Sequence, residues 1–99
     1  MMDYIFPSNS GWTIYTKSDC PYCIKAKLLL SKENPEPLIV NCDDYLKEDR
    51  SSFLLYIKYL IGKEYKTFPM VFKNGTFVGG YTETQENIDV ELKKSKKHD

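Results

Sequence analysis

The spacing of apolar and polar residues in the first half of the chain predicts a strand, a helix and a second strand. Thr13–Tyr15 are β-forming residues and predict the first strand. Pro21 suits the first position of a helix, and Tyr22–Ser31 continue it with helix-forming residues. The prolines in Asn34–Pro37 end that helix, because the residue before a proline is pushed out of helical geometry. The short apolar run Leu38–Val40 then predicts a buried strand.

A longer helix is predicted next. Asp43 and Asp44 are carboxylates suited to capping its first turn, and Gly62 is suited to its end. Between these positions, apolar residues recur at the spacing of one helix face: Leu46, Phe53, Ile57, Leu60 and Ile61.

The remaining elements are a hairpin and a final helix. Met70–Phe72 and Thr76–Val78 flank Asn74-Gly75, which is the strongest short sequence signal for a tight hairpin turn. Thr82 and Glu83 then predict the start of the last helix.

The predicted order is therefore β-α-β-α-β-β-α. A strand–helix–strand unit implies two parallel strands, whereas a hairpin adds antiparallel ones. A four-stranded mixed sheet with helices on both faces satisfies both, which is the thioredoxin-like arrangement of the α/β class. We expect one domain over residues 1–99, with a core at about 12–92, a short amino-terminal extension and a lysine-rich tail, Lys93–Lys97.

Composition excludes several classes of partner. The 99 residues carry 14 basic and 14 acidic side chains, so the net charge of zero gives no electrostatic case for nucleic acid. No apolar run reaches the roughly 18 residues of a membrane-spanning helix, and Met1–Gly11 have neither the basic start nor the apolar run of a signal peptide. Three cysteines are also too few for a secreted disulfide scaffold, so we expect a cytoplasmic protein without nucleic-acid or membrane partners. We also expect a monomer.

The candidate chemistry lies in two cysteines. Cys20 and Cys23 stand in a C-x-x-C spacing where a predicted strand passes into a predicted helix. The free N–H groups and the positive dipole end of that helix favour a thiolate and lower the pKa of the first cysteine. We expect Cys20 to be the exposed nucleophile and Cys23, one helical turn inward, to be the more buried resolving thiol.

A zinc site is the structural alternative for these cysteines. With Cys42 and His98 they would supply four ligands, but zinc ribbons usually draw on two tight pairs or an H-x-x-x-H motif, and His98 lies in the charged tail. We expect no metal. Cys42 follows an apolar run and is interpreted as a small buried hydrophobic residue, with a third redox thiol as the alternative.

Three motifs together resemble a glutaredoxin of the dithiol class. They are Lys17–Cys23, which includes CPYC, then Thr67–Pro69, and then Gly79–Glu83. They occur in the family's order and spacing and span most of the chain from Trp12. A thioredoxin is instead expected to show W-C-G-P-C and to lack the Gly-Gly-Tyr-Thr-acid segment.

The resemblance implies a glutathione site. In the family, the proline of Thr-x-Pro is cis, which implies a cis Pro69 and a Phe68 backbone that pairs with the cysteine of glutathione. A cation is needed for the glycine carboxylate, and Lys17 and Lys66 occupy positions suited to it. The other carboxylate is expected at the start of the last helix. The full set of implied glutathione residues is Lys17, Tyr22, Lys66, Thr67, Phe68, Pro69, Gly80, Thr82 and Glu83.

The implied function is glutathione-dependent reduction of protein disulfides and glutathione mixed disulfides through Cys20 and Cys23. Glutathione is the expected co-substrate, and disulfide-containing or glutathionylated proteins are the expected partners. One alternative is a [2Fe–2S] carrier in which two chains and two glutathiones hold the cluster through Cys20, although Pro21 rigidifies that turn and argues against it. Another is a protein-binding module that keeps the fold without catalysis.

Overall fold

The fold places seven elements in the predicted order. The computed structural model describes residues 3–96. The elements are β1 (Trp12–Thr16), α1 (Pro21–Leu30), β2 (Leu38–Asn41), α2 (Asp43–Ile61), β3 (Met70–Lys73), β4 (Thr76–Gly79) and α3 (Tyr81–Lys96). The predicted tail, Lys93–Lys97, therefore continues α3 as far as Lys96. No helix within 3–96 is long and apolar enough to cross a membrane.

The strands form one mixed sheet, as the sequence predicts. Their order is β2-β1-β3-β4, with β1 parallel to β2 and antiparallel to β3. The β3–β4 hairpin turns through Asn74 and Gly75, both of which have positive φ angles (51° and 82°). Two consecutive positive φ angles match the right-handed twist of the paired strands, which explains why this dipeptide is favoured there.

Helices cover both faces of the sheet. Because successive strand residues point to opposite faces, Ile14 and Tyr15 of β1 belong to different cores. Ile14 packs with Leu30 of α1, and Tyr15 packs with Phe53 of α2. The sheet is thus enclosed between α1 and α3 on one side and α2 on the other.

The prediction that Leu38–Val40 form a buried strand is wrong for two of the three residues. Val40 is buried, but Leu38 and Ile39 are exposed. The physical reason is position: β2 is an edge strand of the sheet, paired on one side only. An apolar run predicts a strand but does not say whether that strand lies in the centre or at the edge.

The amino-terminal extension is packed rather than separate from the core. The ring of Tyr4 stacks on Tyr56 with centroids 4.7 Å apart and meets Tyr45 edge-on at 5.0 Å. The carbonyl of Ile5 accepts hydrogen bonds from the hydroxyls of Tyr15 and Tyr56. The extension therefore packs against the core cluster that contains Tyr45 and Phe53.

Helix α2 is interrupted once. Asp49 has a non-helical backbone (φ −161°, ψ 88°), and its carboxylate accepts a hydrogen bond of 3.1 Å from the Ser52 N–H. This is the geometry of a helix cap, so the chain restarts its helix at this point. The helix ends at Gly62 with φ 79°, as the sequence predicts.

Candidate functional site

Cys20 and Cys23 are joined by a disulfide at the amino end of α1. Their Cα atoms lie 5.2 Å apart, within the usual range for disulfides. Cys20 is the capping residue of the helix, and its sulfur accepts a hydrogen bond of 3.2 Å from the Cys23 N–H. The structure therefore places this sulfur where the sequence predicts, against the free N–H groups of a helix start.

The two cysteines differ in burial in the predicted order, but Cys20 is less exposed than predicted. Its exposed fraction is 8%, against 1% for Cys23. The segment before β3 shields the Cys20 sulfur from solvent, since the carbonyl oxygen of Phe68 lies 3.7 Å from that sulfur. Only a small part of the disulfide is open to solvent.

The Thr67–Pro69 segment is fixed beside the disulfide. The Phe68–Pro69 peptide bond is cis, which confirms that expectation. The Phe68 ring stacks nearly parallel on Phe53 of α2 at 6.2 Å between centroids, and Pro69 is buried. This segment is thereby attached to the core on its inner side and presents its outer side to the cleft described next.

A cleft of about 240 Å³ is lined by the residues around the disulfide. On one side stands Tyr22, which is 56% exposed, and the cis-proline segment and the start of α3 form the other walls. Seven predicted glutathione residues line this cleft: Tyr22, Thr67, Phe68, Pro69, Gly80, Thr82 and Glu83.

Two further lining residues, Tyr65 and Tyr81, were not predicted. Tyr81 lies within the Gly79–Glu83 motif, so the predicted site residues beside it indicated that it could also line the cleft. Tyr65 has no comparable signal, because its ring is brought to the cleft by edge-on packing against Phe77 at 4.9 Å. Its hydroxyl lies beside Gly80, where a Cβ atom would approach it to 3.2 Å.

The two predicted lysines do not line the cleft. Lys66 lines a neighbouring groove with Tyr65, and Lys17 lies partly buried in the loop after β1. Hydrogen bonds from Ser18 lower the pKa of Asp43, and the positive charge of Lys17 acts in the same direction.

Glu83 closes the amino end of α3. Its Oε1 atom accepts a hydrogen bond of 2.7 Å from the Gly80 N–H, which is one half of a capping box. Gly79 makes this possible, since it has φ 135° and a Cβ atom there would lie 2.7 Å from the Glu83 side chain. The carboxylate therefore both caps the helix and borders the cleft.

Comparison with known proteins identifies the family. The glutaredoxin family model matches residues 12–78. Glutaredoxin 1 of Rickettsia felis is 40% identical over 67 residues, which cover 68% of this chain and 61% of that protein. Mitochondrial glutaredoxin-2 of Bos taurus is 36% identical over 77 residues, covering 78% of this chain and 46% of that protein. The chain belongs to the glutaredoxin family.

A solved structure extends this likeness over most of the chain. Glutaredoxin 1 from Francisella tularensis, complexed with cacodylate, has 31% sequence identity and a TM-score of 0.69, covering 83% of this chain and 95% of that one. The Cys20–Cys23 pair fits the dithiol class of glutaredoxins. The match to Rickettsia glutaredoxin 1 proteins spans about 61% of their length.

Cys42 stands apart from this glutaredoxin's disulfide. It is completely buried, and burial raises the pKa of its thiol to about 12. Its burial agrees with its interpretation as a small buried hydrophobic residue. Among residues 3–96, no group of three or more His, Cys, Asp or Glu side chains is arranged to hold a metal, and His98 of the zinc alternative lies outside the described residues.

Proposed function

We propose that this chain is a glutathione-dependent thiol–disulfide oxidoreductase. The observation that carries the proposal is the Cys20–Cys23 disulfide at the start of α1, beside a cleft lined by the cis-proline segment. Two cysteines whose Cα atoms lie 5.2 Å apart can be joined by a disulfide, and such a pair is suited to cycle between the dithiol and the oxidised form.

The reduced pair would act first through Cys20. The Cys23 N–H and the helix dipole would stabilise its thiolate, and that thiolate attacks the glutathionyl sulfur of a mixed disulfide. One disulfide forms between Cys20 and glutathione, and the substrate leaves as a thiolate that takes a proton. A second glutathione thiolate then attacks the glutathionyl sulfur, which gives glutathione disulfide and restores the Cys20 thiolate.

Protein disulfides would follow a second branch. The Cys20 thiolate attacks one sulfur of the substrate, and Cys23, after losing its proton, attacks the Cys20 sulfur. The substrate leaves with both sulfurs reduced, and the two electrons it gains come from the pair that is now the Cys20–Cys23 disulfide. Two glutathione molecules then return the pair to dithiols and become glutathione disulfide.

Glutathione would be held by the cleft around the disulfide. The backbone of Phe68 would pair with its cysteine unit, and the N–H groups at Thr82 and Glu83 would receive its γ-glutamyl carboxylate. Tyr22 would cover the bound molecule. Lys17 and Lys66 stay predictions as partners of the glycine carboxylate, and the expected monomeric state and cytoplasmic location also stay predictions.

Replacement of each cysteine tests the mechanism. Cys20→Ser is expected to abolish turnover in a glutathione-coupled hydroxyethyl disulfide assay, whereas Cys23→Ser keeps removal of glutathione from mixed disulfides and loses reduction of protein disulfides. Cys42→Ser serves as the matched control and keeps both activities. Full activity of Cys20→Ser would contradict the mechanism.

A further inference from the structure

Three oxygen atoms converge at one corner of the disulfide cleft. They are the hydroxyl oxygen of Tyr65, the Oε1 atom of Glu83 and the backbone carbonyl oxygen of Pro69. All three lie within 4 Å of the point where a side chain at Gly80 would place its Cβ atom. The four residues line the cleft, and the space between the three oxygens is called the Gly80 notch below.

The Gly80 notch exists because residue 80 has no side chain. Gly79 has a φ angle of 135°, which favours glycine, whereas the φ angle of Gly80 does not lie in that range. Backbone conformation therefore does not require a glycine at position 80. A Cβ atom there would lie 3.2 Å from the Tyr65 hydroxyl, 3.4 Å from Oε1 of Glu83 and 3.7 Å from the Pro69 carbonyl oxygen. The glycine thus keeps the space between the three oxygens available to a ligand.

The Tyr65 hydroxyl is positioned at the notch by the packing of its ring. The ring meets Phe77 of β4 edge-on with centroids 4.9 Å apart, and the residue is partly buried. A tyrosine hydroxyl has one donor hydrogen and can also accept hydrogen bonds. Phe77 therefore holds a polar group at the wall of the cleft, where it can contact a bound substrate.

The chemistry of the notch suits a cation. A carboxylate and a backbone carbonyl only accept hydrogen bonds, and the hydroxyl oxygen of Tyr65 can accept one as well. Oε1 of Glu83 already accepts a hydrogen bond of 2.7 Å from the Gly80 N–H, and a carboxylate oxygen has room for a second. A primary ammonium brings three N–H donors and a positive charge, so it matches three converging oxygens of which one belongs to a carboxylate.

We propose that the Gly80 notch binds the free amino group of the γ-glutamyl unit of glutathione, and that the Tyr65 hydroxyl is the contact that selects for this group. Under the proposed function, the N–H groups at Thr82 and Glu83 receive the γ-glutamyl carboxylate. The amino group is bonded to the same carbon atom as that carboxylate, so it is delivered beside Glu83. The inference rests on the proposed function and names the substrate class, which is disulfides whose glutathionyl part has an uncapped amino group.

Two chromogenic disulfides isolate the amino group. In each, thionitrobenzoate is joined through sulfur to a tripeptide, which is glutathione in one and glutaryl-cysteinyl-glycine in the other. The second tripeptide keeps both carboxylates and lacks only the amino group. In a reduced chain carrying Cys23→Ser, the Cys20 thiolate attacks the tripeptide sulfur, forms a disulfide with the tripeptide and releases coloured thionitrobenzoate. We expect a rate constant about tenfold higher for the glutathione substrate, since hydrogen bonds to a charged group are the stronger ones.

Matched variants in the same background assign the preference to the notch. Tyr65→Phe removes the hydroxyl and keeps the ring on Phe77. It is expected to lower the rate constant about fivefold for the glutathione substrate and less than about twofold for the glutaryl substrate, because the lost hydrogen bond is to the ammonium. Tyr59→Phe, which removes the hydroxyl of an α2 tyrosine that is 80% exposed, is the control and changes neither rate constant. Gly80→Ala fills the notch and is expected to abolish the preference.

The outcomes distinguish the failure of this inference from that of the proposed function. No release of thionitrobenzoate from either substrate would overturn the proposed function. Release at equal rates from the two substrates would overturn only the ammonium site. A preference that persists in Tyr65→Phe would overturn the role of the hydroxyl. An equal loss with both substrates in that variant would overturn it as well, because the hydroxyl would then act on the shape of the cleft and not on the amino group.

Discussion

The carboxylate of Asp43 holds Ser18 at two atoms. It accepts a hydrogen bond of 2.8 Å from the Ser18 N–H and a second one from the Ser18 hydroxyl. Asp43 is the first residue of α2, and Ser18 stands two residues before Cys20. Asp43 was expected to cap α2, but its carboxylate binds Ser18 instead. The start of α2 therefore fixes the loop that leads to Cys20 at the start of α1.

Replacement of Asp43 is expected to impair activity without touching the disulfide. Asp43→Ala removes both acceptors, so the loop that carries Ser18 no longer has a fixed position relative to α2. We expect a roughly three- to tenfold fall in kcat/KM with hydroxyethyl disulfide, because small displacements of a reacting group are costly. Asp44→Ala is the matched control, and an equal loss in that variant would show that general charge near α2 is responsible.

The same carboxylate gives a pH-dependent contribution to stability. Hydrogen bonds from the Ser18 side chain and backbone lower the pKa of Asp43 below its ordinary value. Because the pKa of Asp43 is lower in the folded than in the unfolded protein, its ionised carboxylate stabilises the fold. This stabilisation is fully present above the pKa of the unfolded state, about 3.9, and is lost as the pH falls through the pKa of the folded state. The difference in Tm between wild type and Asp43→Asn is therefore expected to be present at pH 6 and to shrink below about pH 4. A constant difference over that range would contradict this account.

Lys25 joins two rings at the border of the cleft. Its ammonium lies 5.0 Å from the ring centroid of Tyr22 and 5.9 Å from that of Tyr81, and the two rings are 6.0 Å apart. Cation–π contacts at exposed sites are worth about 0.5–1 kcal/mol, so we expect Lys25→Met to raise the KM for a glutathione mixed disulfide about two- to fivefold with little change in kcat.

Two controls assign that effect to the cation. Lys25→Arg keeps a cation over the rings and is expected to restore the wild-type KM, and Lys32→Met removes an exposed lysine just beyond α1 without effect. A KM in Lys25→Arg as high as in Lys25→Met would contradict a role for the charge.

Cys42 is expected to resist alkylation in the folded protein. Since burial raises the pKa of its thiol to about 12, almost none is ionised at pH 8. In a chain carrying Cys20→Ser and Cys23→Ser, iodoacetamide at pH 8 should modify Cys42 at least about a hundredfold more slowly than in urea. Mass spectrometry after timed quenching measures this, and rapid labelling without urea would show that the thiol is accessible.

The sequence by itself determined the features that depend on neighbouring residues. Pro21 and the Cys20–Cys23 spacing set the sulfur at a helix start, and Asn74-Gly75 set the hairpin, because caps and tight turns are governed by local backbone preferences. The order of elements then restricted the sheet to a mixed arrangement. Most of the residues that line the cleft could also be predicted from the sequence, because they belong to short motifs.

Only the tertiary structure decided the features that join distant parts of the chain. Ser18 and Asp43 are 25 residues apart, Tyr65 reaches the cleft through Phe77, and Lys66 belongs to the groove beyond it. Leu38 is exposed because its strand lies at the sheet edge. The direction of a side chain and the position of a strand at the centre or edge of the sheet depend on how elements pack against one another. The local pattern of apolar residues is the same for a central strand and for an edge strand.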